Sequence, residues 1–265
     1  MANLDTPGFL IDLDGTVFRG QELIDGAKEA IHTLQALNKN IVFLSNRGNM
    51  SRAMCRKKLL GAGIVTDERN IVLSSSVTAA FLKKQYPSSQ VWVLGEKGLI
   101  DELALAGVAL AAEPKAADWL IISLHETVTY KDLNLAFQAA SSGARIIATN
   151  RDRSFPKEDG HAIDVAGMLG AIEAAAGTRA ELVIGKPSWL MAEAACEALG
   201  LTPGECAIIG DSLESDIAMG RLYGMRSVLV LTGSSKLGEH RLYEPDIVLN
   251  SIKDLTELAK EGILL

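Results

Sequence analysis

Cysteine is scarce in this chain: Cys55, Cys196 and Cys206 are the three in 265 residues, and none forms a CxxC pair. An odd count without that spacing argues against a disulfide-stapled scaffold or a thiolate metal site, and all three fall in segments that read as core, so buried thiols are expected. Long hydrophobic runs are missing as well. The run Trp119, Leu120, Ile121 and Ile122 is broken within a few residues, whereas a membrane-spanning helix needs roughly 20. Residues 1–7 hold no basic start followed by an apolar stretch, so no secretory signal is read and the cytoplasm is the expected compartment. Basic charge is also short, with 26 Lys and Arg against 33 Asp and Glu for a formal net charge of -7. Neutralising a phosphate backbone takes a basic face, so no nucleic-acid partner is expected, and no membrane partner either. There is no internal repeat, low-complexity tract or long charge block.

The chain does hold ample core material, at 48% hydrophobic residues, for one large domain or two ordinary ones. Strand-like runs alternate with helical patterns almost throughout, which predicts parallel βαβ units and an α/β fold. Helical periodicity is clearest over residues 26–37, 51–60, 188–199 and 252–260. Residues 78–181 carry strand-like runs of their own, at 91–94, 120–123 and 146–148. We read that stretch as an inserted domain between two parts of a first domain, residues 1–77 and 182–265. Its edges are expected after Ser74, Ser75 and Ser76 and near Gly177, Thr178 and Arg179, where small and polar residues let the chain leave and return.

Four polar segments follow apolar runs and lie outside the insertion. They are Asp12-Leu13-Asp14-Gly15-Thr16, Ser45-Asn46, Lys186-Pro187, and Gly210-Asp211 through Asp216. In an open α/β sheet, ligands bind at the carboxyl ends of strands, where such residues would converge. An aspartate there can attack phosphorus in line, and Asp12 is the expected nucleophile. Asp14, two residues on and past the bend at Gly15, can protonate the leaving group and then deprotonate water. An isolated DxD more often just shapes a turn; the three companion segments outweigh that reading.

Several carboxylates and a phosphate dianion repel one another strongly in low dielectric, so a divalent cation is expected beside them. An all-oxygen donor set suits Mg2+, with Asp12, Asp14 and Asp211 as ligands. Asp216 has three options: binding the metal through water, holding Lys186, or capping a helix. The Ser45 hydroxyl and the amides of Asn46 and Arg47 can donate to phosphate oxygens, and Lys186 supplies a positive point charge. Arg151, Arg153, Lys157, His161 and Asp164 cluster in the insertion, a composition suited to sugar hydroxyls or a second anion, or to a solvated loop. His32, His125 and His240 have no partner legible in the sequence, and Trp92, Trp119 and Trp189 read as packing residues.

These segments resemble the haloacid dehalogenase superfamily, in which a DxDx(T/V) segment, a Ser or Thr, a Lys and an acidic GDxxxxD segment occur in this order. A second aspartate at the place of Asp14 is the pattern of its phosphatases and mutases. The resemblance implies a Rossmann-like core with a large α/β cap inserted between the second and third motifs. That late cap is similar to the N-acetylglucosamine-operon and p-nitrophenyl phosphatase branch, as are Thr149-Asn150-Arg151-Asp152, residues 220–225 and Leu231-Thr232-Gly233. Arg47, Ser212, Ser215 and the pair Ile163-Asp164 depart from the branch pattern. Likeness to the sugar phosphatases of that branch implies a promiscuous Mg2+-dependent enzyme that hydrolyses sugar phosphates and other small phosphomonoesters through a phospho-aspartyl intermediate. It implies a cap loop of Arg151, Arg153, His161 and Asp164 facing a phosphorylated sugar, and a homodimer through the cap as an option.

Two other classes compete. A regulator that keeps a stable phospho-aspartate would use the same strand-end aspartate, Mg2+, Ser and Lys, but needs neither Asp14 nor a large insertion. A nicotinamide-dependent oxidoreductase would need a GxGxxG after the first strand, and none is present.

Overall fold

A computed structural model of the chain describes residues 4–157, 160–235 and 242–264, apart from the side chains of Pro156 and Lys157. The first part runs β1 (Gly8–Asp12), a short pair β2 (Phe18–Arg19) and β3 (Glu22–Leu23), α1 (Ala27–Ala36), β4 (Asn40–Ser45), α2 (Arg52–Gly61), β5 (Ile71–Leu73) and α3 (Ser74–Gln85). Next come β6 (Gln90–Leu94), α4 (Lys97–Leu105), β7 (Ala109–Leu110), β8 (Trp119–Ile122), α5 (Tyr130–Ser141) and β9 (Arg145–Ala148), then β10 (Ser154–Lys157), β11 (Gly160–Ile163), α6 (Val165–Ala176) and β12 (Leu182–Val183). The chain closes with α7 (Trp189–Leu199), β13 (Cys206–Gly210), α8 (Ala218–Tyr223), β14 (Arg226–Val230), β15 (Ile247–Leu249) and α9 (Leu255–Lys260).

Two parallel sheets organise these elements, as the alternating pattern predicts. The first has six strands in the order β15-β14-β13-β1-β4-β5. Every residue of β1 is buried, because a central parallel strand is covered on both faces and so reads as a continuous apolar run. Its side chains still alternate. Phe9 and Ile11 pack with Ile31, Leu34, Phe43 and Leu59 on one face, and Leu10 packs with Val42, Leu44, Met191 and Ile208 on the other. Ile11 is level with Ile209 of β13, and Asp12 with Leu44 of β4. Parallel pairing in that register brings Asp12, Ser45 and Asp211 to one edge. The chain leaves β1 toward β4 on one side and reaches β13 on the other, so the crevice opens at the end of β1.

The second sheet has five strands in the order β12-β9-β8-β6-β7. One face, including Trp119, Ile121 and Ile147, shares an apolar cluster with Leu10, Leu44 and α7 of the first sheet. The other packs Leu120, Ile122 and Ile146 against α5 and α6. The antiparallel hairpin β10–β11 rises between β9 and α6. The first-sheet loop at 49–50 and α4 of the second unit lie so close that a Cβ on Gly98 would stand 2.3 Å from the Asn49 carbonyl oxygen. Beside it, buried Glu102 accepts from the Arg52 amide at 2.7 Å and pairs with the Arg52 guanidinium at 2.9 Å.

The structure corrects three details of the sequence reading. Leu182 and Val183 pair with Ile147 and Ala148 of β9, so this strand belongs to the second sheet; an apolar run feeding a lysine looks like a first-sheet strand until its pairing partner is known. Ser74, Ser75 and Ser76 form the first turn of α3, so an edge at 78 falls inside that helix. Their hydroxyls bond backbone carbonyls, Ser74 that of Asn46 at 2.7 Å and Ser75 that of Met50 at 2.6 Å, which is how a serine run becomes a packed helix start. Third, Trp189 is 49% exposed and meets Tyr223 edge to face. The three cysteines are free and buried, and no helix among the described residues is long and apolar enough to cross a membrane. His240 and the Lys157 side chain lie outside the described residues.

Candidate active site

Gly15, at φ 87°, turns the chain just beyond β1, where a Cβ would stand 2.4 Å from Asp211 Oδ2. Only glycine suits both the left-handed backbone and the close carboxylate. Asp211 follows β13 and accepts from the Ser234 amide at 2.5 Å. Leu213–Ile217 then winds as a π-helical turn carrying Asp216. Asp12, Asp211 and Asp216 are all buried, and each can bring one carboxylate oxygen within 4.8 Å of the others.

Lys186 balances part of this charge. Its Nζ donates to Asp12 Oδ1 at 2.5 Å and to Asp216 Oδ1 at 2.6 Å, with its side chain 2% exposed. Burial alone would lower the Lys186 pKa, yet Asp12 and Asp216 hold it above the ordinary value. Burial pushes Asp12 well above the usual carboxylate range, with Asp216 and Asp211 adding to the shift and Lys186 opposing it. Asp211 is pushed up to about 6, by burial first and by Asp216 next. Three crowded buried carboxylates with one ammonium leave excess negative charge on oxygen donors, a set that fits a hard divalent cation. Asp216 accepts from Lys186 and also stands in the carboxylate cluster, so its geometry fits both holding Lys186 and a place beside a cation.

Asp14 is placed differently from its expectation as a metal ligand. Its carboxylate stands apart from the cluster, held by Arg47 through Nε to Oδ2 at 2.8 Å and Nη2 to Oδ1 at 3.1 Å. Burial would raise its pKa, but the Arg47 charge and hydrogen bonds bring it below the ordinary value. The cause lies 33 residues along the chain, beyond any local pattern.

Ser45 is buried and accepts from the Arg47 amide at 3.1 Å. The Asn46 side chain serves the scaffold. Its Oδ1 accepts from the Lys186 amide at 2.6 Å and its Nδ2 donates to Asp152 Oδ2 at 2.9 Å, while its carbonyl accepts from Asn150 at 2.9 Å. One asparagine thus fixes the lysine backbone and the 150–152 segment of the second unit to the end of β4.

A cavity of about 520 Å³ lies over these groups, and Arg151, Arg153, His161 and Asp164 line it together with Asp12 and Lys186. Arg151 also reaches Glu173 at 3.6 Å. Asp164 caps α6 by accepting from the Val165 amide at 2.6 Å and is pushed up to about 6, by burial first and with Asp152 adding to it. The sequence reading missed the placement of Asp152, Phe155, Ser234 and Ser235 around this cavity. The serines follow the strand β14, whose carboxyl end shares the sheet edge of Asp12, so the strand-end rule could have found them. Phe155 carries no such signal.

Comparison with known proteins agrees with this arrangement. A family model described as haloacid dehalogenase-like hydrolase matches residues 9–109, and a HAD-hydrolase-like model matches residues 183–255. Over 269 aligned positions the chain is 74% identical to the sugar phosphatase AraL of Bacillus subtilis (strain 168), covering 100% of this chain and 99% of that one. It is 33% identical to an acid sugar phosphatase of Staphylococcus aureus (strain MRSA252), covering 96% of each. Among solved structures, the p-nitrophenyl phosphatase from Archaeoglobus fulgidus superposes with a TM-score of 0.89 at 34% identity, covering 96% of this chain and 99% of that one.

Proposed function

The chain belongs to the haloacid dehalogenase-like hydrolases, and on that premise we propose that it is a phosphomonoesterase acting on phosphorylated sugars. The observation that carries the proposal is the meeting of Asp12, Lys186, Asp211 and Asp216 at the sheet edge that also bears Ser45, beneath a cavity of about 520 Å³. A site for a stable phospho-aspartate has no need of a leaving-group chamber, so the cavity favours turnover over storage. The names of the similar proteins supply the sugar.

Lys186 engages Asp12 Oδ1, which orients the other carboxylate oxygen toward an incoming phosphorus. In the first step the Asp12 oxygen–phosphorus bond forms as the ester bond breaks, and Asp14, which has to leave the Arg47 fork and take up a proton from solvent beforehand, gives that proton to the departing sugar oxygen. In the second step Asp14 takes a proton from water, whose oxygen displaces Asp12 and releases inorganic phosphate. Ser45 and Lys186 donate to the phosphoryl oxygens, which carry most of the charge in the transition state. Asp12 and Asp211, with Asp216 beside them, would hold a divalent cation, Mg2+ by the hardness of the donors, and it would neutralise charge between carboxylates and phosphate. The unit built on the second sheet, β12 included, serves as a cap, with Arg151, Arg153, His161 and Asp164 facing the sugar. We place the reaction in the cytoplasm.

The test is phosphate release from a sugar-phosphate panel by wild type and Asp12→Asn, with Mg2+ and with chelator. Release by wild type with Mg2+ alone is the expected result. Full turnover by Asp12→Asn, or with the metal chelated, would overturn the proposal.

A further inference from the structure

Asp152 lines the chamber together with Lys186 and takes no part in the two steps of the reaction. Its main chain is fixed on both sides. The amide donates to Asn150 Oδ1 at 2.9 Å, and the carbonyl accepts from the Ala166 amide of α6 at 3.1 Å. Its Oδ2 accepts from Asn46 Nδ2 at 2.9 Å. Asn46 in turn holds both main-chain groups of Lys186, with Oδ1 accepting from the amide at 2.6 Å and Nδ2 donating to the carbonyl at 3.3 Å. Only one orientation of that side-chain amide satisfies all three contacts. The remaining oxygen of Asp152, Oδ1, has no hydrogen-bond donor among the described residues, yet it is not sealed from solvent, so it is open to the chamber. Such an oxygen accepts from a hydroxyl, of which a sugar carries several.

We propose that Asp152 is a specificity-determining residue whose Oδ1 accepts a hydrogen bond from a hydroxyl of the leaving sugar, and that Asn46 is the positioning residue that registers this contact against Lys186. The inference rests on the phosphomonoesterase reading and directs the site to polyhydroxylated leaving groups. Among the described residues of the second unit, Asp152 alone bonds the Asn46 side chain. A hydroxyl bound there is therefore held at a fixed offset from the ammonium that meets the phosphate, which is what productive alignment of the two ends of a substrate requires. Arg151, by contrast, leans away to Glu173 at 3.6 Å.

The experiment measures kcat and KM with Mg2+ on a hexose phosphate and on p-nitrophenyl phosphate, whose leaving group carries no free hydroxyl. Wild type, Asp152→Ala, Asn46→Ala and the double variant are compared. Asp152→Ala is expected to lower kcat/KM on the hexose phosphate about 10- to 100-fold more than on p-nitrophenyl phosphate, the range for a hydrogen bond to a charged group, with KM carrying most of the change. Equal losses on both substrates, or an unchanged ratio, would overturn the inference, since a merely structural aspartate lowers both together. If the alanine protein does not fold, Asp152→Asn, which keeps the shape, is read on the same ratio. Asn46→Ala should lower kcat on both substrates and shift the ratio as well. The double variant should then shift the ratio no further than Asp152→Ala does, because the two residues make one contact; a shift equal to the product of the two single shifts would overturn the part given to Asn46. Asp12→Asn, run in parallel, separates the two levels. An active Asp12→Asn defeats the phosphomonoesterase reading itself, whereas an inactive one beside an unchanged Asp152→Ala ratio defeats the inference alone.

Discussion

Lys186 Nζ donates to Asp12 Oδ1 at 2.5 Å although 174 residues separate them, and the same ammonium reaches Asp216 Oδ1 at 2.6 Å. A single buried cation is thus the counter-charge for two buried anions, and the chain assembles the trio only when both ends of the sequence have joined the first sheet. Breaking one partner of such a set is costlier than never having built it, because the others stay buried without compensation.

Lys186→Met is accordingly expected to cost about 3–5 kcal/mol, the range for an uncompensated buried charge, and to abolish phosphate release. Urea unfolding at neutral pH in chelator measures the first and a phosphate assay the second. Lys186→Arg should rescue neither, since a guanidinium does not fit where the ammonium is 2% exposed. An unaltered urea midpoint in Lys186→Met would refute the counter-charge role.

Metal linkage gives a second check. Mg2+ is expected to raise the stability of wild type by about 2.7 kcal/mol at a hundred times its Kd, and Asp211→Asn to abolish that gain. In metal-free buffer the same variant should melt above wild type, because burial and Asp216 already push the Asp211 carboxyl up to about 6. Thermal melts of both proteins with and without Mg2+ decide it; equal Mg2+ stabilisation of the two would rule Asp211 out as a ligand.

Asp164 makes stability depend on pH with a definite sign. Burial pushes its carboxyl up to about 6 in the folded protein, above the ordinary aspartate value of 3.8, so between those values the folded chain binds the extra proton. Stability from this group is therefore full below the lower value, falls as pH rises through the window, and levels off above the upper one. The total is at most about 3 kcal/mol at 1.36 kcal/mol per unit. Asp164→Asn, which keeps an oxygen to cap α6, should flatten this slope in denaturation curves taken across the window. A slope identical to that of wild type would count against the assignment.

The Arg52–Glu102 pair offers a test of how the two sheets are joined. Glu102→Ala takes the acceptor from the Arg52 amide and removes its guanidinium contact, an expected loss of about 1–3 kcal/mol, whereas Glu102→Gln keeps an acceptor for the amide and should lose less. Limited proteolysis of native protein should then cut sooner in Glu102→Ala near the α2–α4 contact. Equal stability of wild type and Glu102→Ala would show that the pair does not clamp the units.

What the sequence revealed follows from one physical rule, and what it hid follows from contacts across long separations. A buried parallel strand is an apolar run that ends in polar residues, so Asp12, Ser45 and Asp211 could be placed on one edge before any coordinates. Lys186 reaches Asp12 although Leu182 and Val183 before it belong to the other sheet, a fact decided by two residues of pairing with β9. Asp216 has three compatible roles in the sequence, and its contact with Lys186 and its place in the carboxylate cluster depend on folds of the chain that spacing does not encode. The grip of Arg47 on Asp14 and the scaffold role of the Asn46 side chain depend on side-chain direction, which neither periodicity nor spacing encodes. The loop of Arg151, Arg153, His161 and Asp164 was suited equally to solvent or ligand, and the cavity lining brings all four to the chamber.

The pairing of β12 with β9 places Val183 in the second sheet only three positions ahead of the lysine that grips Asp12. Three extended residues reach about 10 Å at most. That short tether leashes the β12 margin of the second sheet to the ammonium it carries into place, so any shift of that margin is passed on to the lysine.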